Sequence, residues 1–316
     1  MNDEPDHDHL YADHSGDAGA HTHSHAPQDF GRVFAITLGL NVALVALQAA
    51  YGVFAHSTAL LADAGHNFGD VLGLVLAWAA QGLGRRPPTS GYTYGFRSAS
   101  ILAALSNAVI LLVATGAIAW EAIGRLFTPV PVAGGTVMLV AAVGMVVNGF
   151  SAWLLMGGHR DLNVHGAFLH MAADAAISFG VVVAGGVILV TGWPGIDPIV
   201  SLLISIVIVV GTGGLLRGSI NMTLQAVPPG IDSAQVRRYL EHLPGVVEVH
   251  DLHIWSMSTT ETALTCHLRM PGGHPGDAFL ARAAETLERR FAIGHPTLQI
   301  EIGEHTQCAL APDHVV

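Results

Sequence analysis

Apolar runs of roughly twenty residues recur six times along the chain, near 33–54, 58–80, 99–120, 132–155, 166–190 and 196–216. Each is long enough to cross the ~30 Å hydrocarbon core of a bilayer as a helix. The pattern therefore predicts six transmembrane helices in residues 31–226. From Val227 the character changes. Pro228, Pro229 and Gly230 break the last helix, and Asp232 or Ser233 can cap a new one. Beyond that break the polar and apolar positions predict helix over 233–243, strand over 246–256 and 261–270, helix over 276–291 and strand over 297–303. This αββαβ order predicts a small α+β, ferredoxin-like domain spanning residues 227–303. Residues 1–30 and 304–316 read as tails.

Composition agrees with the membrane reading. The chain has 316 residues, 51% of them hydrophobic and 12% charged, against about 25% charged in soluble proteins. The net charge of −11 and the missing basic patch argue against a nucleic-acid partner. Two cysteines, Cys266 and Cys308, imply no disulfide framework. The first thirty residues have no apolar stretch of the kind a cleaved signal peptide carries. They hold His7, His9, His14, His21, His23 and His25 among many acids. That composition fits a solvated tail or a weak metal-collecting arm. Arg32, Arg85, Arg86, Arg97, Arg160 and Arg217 fall on one side of the predicted spans and Arg125 on the other. By the positive-inside rule both termini are cytoplasmic.

Two residue pairs carry the chemistry: His66 with Asp70 in the second span, and His170 with Asp174 in the fifth. Ionisable residues at membrane depth are expensive and mark an ion or substrate pathway by default. Spacing of i, i+4 puts each pair on one helical face. If the two faces meet, two imidazoles and two carboxylates make a four-ligand set suited to Zn2+. The bland alternative is that each pair is a hydrogen bond within its own helix. Small residues (Ala62, Gly69, Gly73 and Ala173) are expected to let the two helices approach. A metal-ligating histidine must be neutral, and its ordinary pKa of about 6.5 makes metal and proton compete for it. Exchange of Zn2+ for protons is the natural cycle of such a site.

The chain resembles the cation diffusion facilitators, in their branch of bacterial zinc and cadmium exporters. The resemblance covers about residues 31–303. Its motifs are the run from His56 to Asn67 (HSTALLADAGHN), Tyr94-Gly95-Phe96-Arg97, the His170 segment, and His250-Asp251-Leu252-His253-Ile254-Trp255-Ser256. It implies a multi-pass homodimer in the bacterial inner membrane, with a cytoplasmic ferredoxin-like domain on each protomer. It also implies that His66, Asp70, His170 and Asp174 form the transport site for Zn2+, Cd2+ or other divalent cations. A histidine at the first of these positions goes, in that family, with preference for zinc. The resemblance further maps His250, His267 and Glu301 onto a cytoplasmic zinc site, where the ion would regulate the dimer. Strand alternation agrees, placing Cys266 toward the core and His267 on the other face. Cys308 is then either a further ligand near the dimer interface or a lone exposed thiol. The family often pairs a basic residue at the start of the third span with an acid at the end of the sixth helix. Arg97 fits the first role, but Leu224-Gln225-Ala226 supplies no acid.

Asp63 shares a face with His66 and reads as a water-linked or helix-packing residue. Asn41, Gln48, Asn107 and Asn148 read as interhelical glue. His56 reads as a solvent-exposed loop residue, and His159 and His165 lie near the entrance of the fifth span. His253 and Trp255 are expected to support the fold of the C-terminal domain, with Trp255 as a packing anchor. Two rival readings are a membrane metalloenzyme and a membrane-anchored metal sensor. The first lacks a His-Glu-x-x-His helix or an activated nucleophile. The second does not need two His-x-x-x-Asp pairs inside its anchor.

Overall fold

The computed structural model describes residues 30–155, 162–303, 308 and 310–311. The histidines of the first thirty residues, with His159 and Arg160, lie outside the described residues, as does the side chain of His165. Six long helices come first: α1 (Phe30–Phe54), α2 (Thr58–Gly84), α3 (Ala99–Phe127), α4 (Gly134–Leu155), α5 (Leu162–Thr191) and α6 (Ile196–Thr223). Four of these, α3 to α6, are long and apolar enough to cross a membrane. In α1 the described apolar part is the shorter Leu38–Phe54, and α2 carries Asp63, His66, Asn67 and Asp70. Large apolar side chains such as Trp78, Trp120, Phe127, Val190 and Val210 point outward and are exposed, as a lipid-facing surface requires.

Packing follows from small residues and buried polar contacts. A Cβ on Gly185 would come within 2.7 Å of the Met138 backbone nitrogen, and one on Gly134 within 2.9 Å of the Gly185 carbonyl oxygen. Helices α4 and α5 therefore approach backbone to backbone. The start of α2 is pinned to α6. Ser57 caps α2 by accepting from the Leu60 amide at 3.0 Å, and its hydroxyl donates to the buried Asp197 carboxylate. Asp197, in the first turn of α6, also accepts from the Thr58 amide at 2.7 Å and the Thr58 hydroxyl at 2.8 Å. A carboxylate at a helix N-terminus satisfies amides that have no partner inside the helix and meets the positive end of its dipole. On α6, Ser201 donates to the Thr58 carbonyl at 3.1 Å and completes the joint.

The C-terminal part comprises α7 (Ser233–Glu241), β1 (Glu248–Ser256), β2 (Thr262–Arg269), α8 (Asp277–Phe291) and β3 (His295–Glu301). Each element falls within about two residues of its expected position. Asp232 caps α7 by accepting from the Ala234 and Gln235 amides at 2.9 and 3.2 Å. The sheet order is β1-β2-β3, with β1 and β2 antiparallel and β2 and β3 parallel; α8 is the crossover that a parallel pair needs. Val236 and Leu240 of α7 and Phe279 and Leu287 of α8 pack with Leu264, Cys266 and Leu268 in one apolar core. Cys266 faces that core, as alternation predicts, and His267 does not. Ile302, inside the strand expected over 297–303, lies past the end of β3 and is exposed. Trp255 is half-buried and lines a cavity against α3 and the end of α6.

The hairpin between β1 and β2 rests on the start of α3. Arg97 pairs with Glu261, Ser98 donates to the Met257 carbonyl at 3.0 Å, and the Thr259 amide donates to Ser100 at 3.1 Å. The acid absent from residues 224–226 is thus supplied by the hairpin. Both partners of that pair are nearly half exposed, which limits its value to about 0–1 kcal/mol. The Asp197 joint is buried, so Asp197→Ala leaves several donors unsatisfied at about 1–3 kcal/mol each. Thermal unfolding in detergent is expected to show a clear fall in midpoint for Asp197→Ala and little change for Arg97→Ala.

Candidate metal centre

The two His-x-x-x-Asp pairs meet between α2 and α5, and they do so crosswise. His66 Nε2 lies 3.0 Å from Asp174 Oδ1, and His170 Nε2 lies 3.3 Å from Asp70 Oδ2. Within α5, His170 Nε2 is also 3.7 Å from Asp174 Oδ2. Each histidine therefore faces the carboxylate of the other helix, and neither pair is merely a brace of its own helix. His66, Asp70 and Asp174 bring one ligand atom each within 4.8 Å of one another. His170 joins through the two carboxylates, with its ring centroid 6.1 Å from that of His66. Asp70 Oδ2 and Asp174 Oδ2 are buried and meet His170 Nε2 only at ion-pair distance, without hydrogen-bond geometry. Unsatisfied acceptors at such depth are costly unless a cation or proton completes them.

A polar network adjoins this cluster. Asp63, fully buried, accepts from Gln48 of α1 at 2.5 Å and from Ser178 of α5 at 3.0 Å. Gln48 in turn accepts from Asn67 at 3.0 Å. Gly144 of α4 packs against it, because a Cβ there would stand 2.8 Å from Gln48 Nε2. Asp63 and Gln48 thus join α1, α2 and α5, in keeping with a helix-packing role. The expectation for Gly69 and Gly73 needs correction. A Cβ at these positions would meet Leu111 at 2.8 Å and Asn107 at 2.9 Å, both on α3. These glycines sit on the face of α2 turned to α3, and close approach there is what they permit. His56 is exposed with φ 54°, and its carbonyl accepts from Arg125.

A second cluster lies on the sheet. The antiparallel register places His250 opposite His267, with ring centroids 5.2 Å apart. His267 Nδ1 is 3.0 Å from Glu301 Oε1, and His250 Nε2 is 3.3 Å from Glu301 Oε2. Cys308 Sγ comes within 3.5 Å of His267 Nδ1. Burial raises the Glu301 pKa, but the Cys308 thiol and the two histidines outweigh it and hold the carboxyl below its usual value. A backbone hydrogen bond from Leu310 lowers the Cys308 pKa, but desolvation and the neighbouring Glu301 and Asp251 raise it by more, so the net shift is upward. Burial pushes Cys266 up to about 12, which leaves it an inert core thiol.

Residues 34–222 match the model of the cation efflux transmembrane domain. The chain belongs to the cation efflux family. Residues 228–302 match the cation efflux protein cytoplasmic domain, a dimerisation module. Proteins of the cation efflux family are metal cation transporters, which removes the metalloenzyme reading. Among its relatives is the zinc transporter ZitB of Escherichia coli, 37% identical over 286 residues that cover 89% of this chain and 91% of that protein. The metal cation efflux system protein CzcD of Cupriavidus metallidurans is 33% identical over 293 residues, 92% of each chain. A cadmium, cobalt and zinc/H(+)-K(+) antiporter of Bacillus subtilis is 30% identical over 289 residues, 90% of this chain and 93% of its own length.

Two functionally placed residues of this cation efflux protein escaped the sequence reading. Asp251 lies 3.3 Å from His267 Nε2 through Oδ2 and 2.9 Å from His253 Nε2 through Oδ1. Simple alternation puts Asp251 on the face opposite His250 and His267. A register irregularity between His250 and His253, with Asp251 at φ 50°, brings it round. Asp197 was also missed, although an acid within the run Gly195-Ile196-Asp197-Pro198, at the start of an apolar helix, is a visible signal. Asp63 gives a test that does not involve transport. Asp63→Ala removes the acceptor of both Gln48 and Ser178, and fluorescence-detected thermal unfolding is expected to show a loss of about 2 kcal/mol or more. Asp63→Asn, which keeps one acceptor, is expected to lose less.

Proposed function

We propose that the protein exports Zn2+ from the cytoplasm in exchange for protons, by alternating access to a site of His66, Asp70, His170 and Asp174. The observation that carries this reading is the crosswise arrangement of two histidines and two carboxylates on α2 and α5, with acceptors left open between them. Two nitrogen and two oxygen donors suit Zn2+. Cd2+ and other divalent cations are competing substrates, in line with the names of the relatives. The membrane domain then comprises six spans within 31–226, with both termini in the cytoplasm and the whole in a bacterial inner membrane. The domain at 227–303 is read as ferredoxin-like and cytoplasmic, and as the seat of homodimerisation. His250, His267 and Glu301 are its regulatory zinc ligands.

Proton exchange follows from the ligands. Zn2+ binds the neutral imidazole and displaces whatever proton the His66 and His170 nitrogens carry. A more acidic compartment returns those protons and weakens the site, which releases the ion. The carboxylates Asp70 and Asp174 hold the charge balance in both states, against the ion or against the imidazolium. Proton and metal therefore compete for one set of lone pairs.

Zinc uptake into proteoliposomes under an imposed pH gradient tests the cycle. Wild type is expected to take up zinc in proportion to the gradient, and His66→Ala and Asp174→Ala to lose at least about tenfold of the rate, a barrier change of about 1.4 kcal/mol. Equal flux in all three would remove the site from the transport path. Wild-type flux indifferent to the gradient would leave the site standing and dismiss the proton exchange.

A further inference from the structure

The cluster on the sheet contains more than the three residues read as zinc ligands. We infer that the Cys308 sulfur is the fourth ligand of the His250–His267–Glu301 site, making it a closed site for a thiophilic divalent cation, and that Asp251 is the positioning residue that aims His267 at it. This rests on the reading of that cluster as a metal site and adds to it a ligand, a partner for the histidine and a metal class.

Distances support the fourth ligand. Metal–ligand bonds of about 2.0–2.1 Å to nitrogen or oxygen and about 2.3 Å to sulfur set the edges of a zinc tetrahedron at about 3.3 Å and about 3.6 Å respectively. The separation between His250 Nε2 and Glu301 Oε2 is 3.3 Å, and that between Cys308 Sγ and His267 Nδ1 is 3.5 Å. All four residues place a ligand atom within 4.8 Å of one another. An independent observation comes from His250. Its side chain is 4% exposed; Nε2 faces Glu301 Oε2 at 3.3 Å without hydrogen-bond geometry, and Nδ1 has only Glu248, 3.8 Å away. A buried imidazole so oriented is satisfied by a cation at the shared centre.

Asp251 explains why the second histidine points inward. Its Oδ2 lies 3.3 Å from His267 Nε2, so that nitrogen is the donor to Asp251 and Nδ1 turns its lone pair to a cation held among Glu301, Cys308 and His250. A carboxylate behind a ligating histidine fixes its tautomer and raises its basicity. The φ of 50° at Asp251, a left-handed conformation for a non-glycine residue, is the local cost of reaching that position. The sulfur shifts preference toward zinc, cadmium and cobalt over harder ions such as magnesium or manganese. In this respect the domain site differs from the sulfur-free cluster between α2 and α5.

Cobalt(II) titration of the full-length protein in detergent tests the assignment, because only a cobalt–thiolate bond gives an intense near-ultraviolet charge-transfer band. The band is expected in wild type, retained in Cys266→Ala and lost in Cys308→Ser. Asp251→Asn is expected to keep the band but to need about 10–100-fold more cobalt to reach it. Survival of the band in Cys308→Ser overturns the assignment of the ligand. Tetrahedral cobalt absorption that falls in His250→Ala, without any charge-transfer band in wild type, also overturns it while sparing the three-residue site. Absorption unchanged in His250→Ala brings down the site reading itself. Metal protection of Cys308 from alkylation gives a second readout, expected to slow the reaction at least tenfold; equal rates with and without zinc would count against the ligand.

Discussion

A carboxylate buried among apolar helices needs a partner, and in this protein the partner comes from the neighbouring helix. Asp174 is almost fully buried and stands against His66 across the gap between α2 and α5, while Asp70 stands against His170. Burying such groups on one helix without the other would leave them unpaired, which is costly. The crosswise pairing therefore fixes the facing of α2 and α5, and the other helices are arranged around that requirement. Backbone contact between α4 and α5 at Gly134 and Gly185 holds the second helix. Contact with α3 at Gly69 and Gly73 holds the first.

The same logic operates in the polar joints that surround the pair. Asp63 draws its donors from α1 and α5, and Asp197 draws its donors from the start of α2. Each of these carboxylates is buried and each bridges elements distant in sequence. In a bilayer, where apolar burial between helices adds little, such bridges and small-residue contacts supply much of the specificity of packing. At the other end the β1–β2 hairpin rests on α3, and the strands leading into it carry His250 and His267. One continuous stretch of chain thus touches both the membrane helices and the second cluster.

Much of this was legible along the chain. Apolar runs gave the six long helices, and alternation gave the strands, because burial writes its period directly into the sequence. The i, i+4 spacing of His66 with Asp70 and of His170 with Asp174 put the polar groups on defined faces. What spacing could not tell was which residue faces which, since that depends on the relative rotation of two helices. The glycines show the same limit: Gly69 and Gly73 announce a close neighbour, but only the packing reveals that the neighbour is α3. Asp251 was hidden for another reason. One irregular step in β1 moves its side chain to the opposite face, and period-two reasoning cannot anticipate an added residue. Asp197 and Glu261 act through partners more than 130 residues away, which no local pattern encodes.

The joint at Asp197 has a mechanical consequence. It fastens α2 at its first turn, and at about 1.5 Å per residue His66 and Asp70 lie about 12 Å and about 18 Å along the helix from Thr58. A rod held at one end moves least there and more with distance. Pivoting by about 10° around that joint would carry Asp70 sideways by about 3 Å and His66 by about 2 Å, while the capping contacts barely change. A lateral step of that size is enough to separate Asp70 or His66 from its partner on α5. In such a pivot the fixed end of α2 would be the fulcrum, and the spacing of the two residues along the helix would set how unequally they travel.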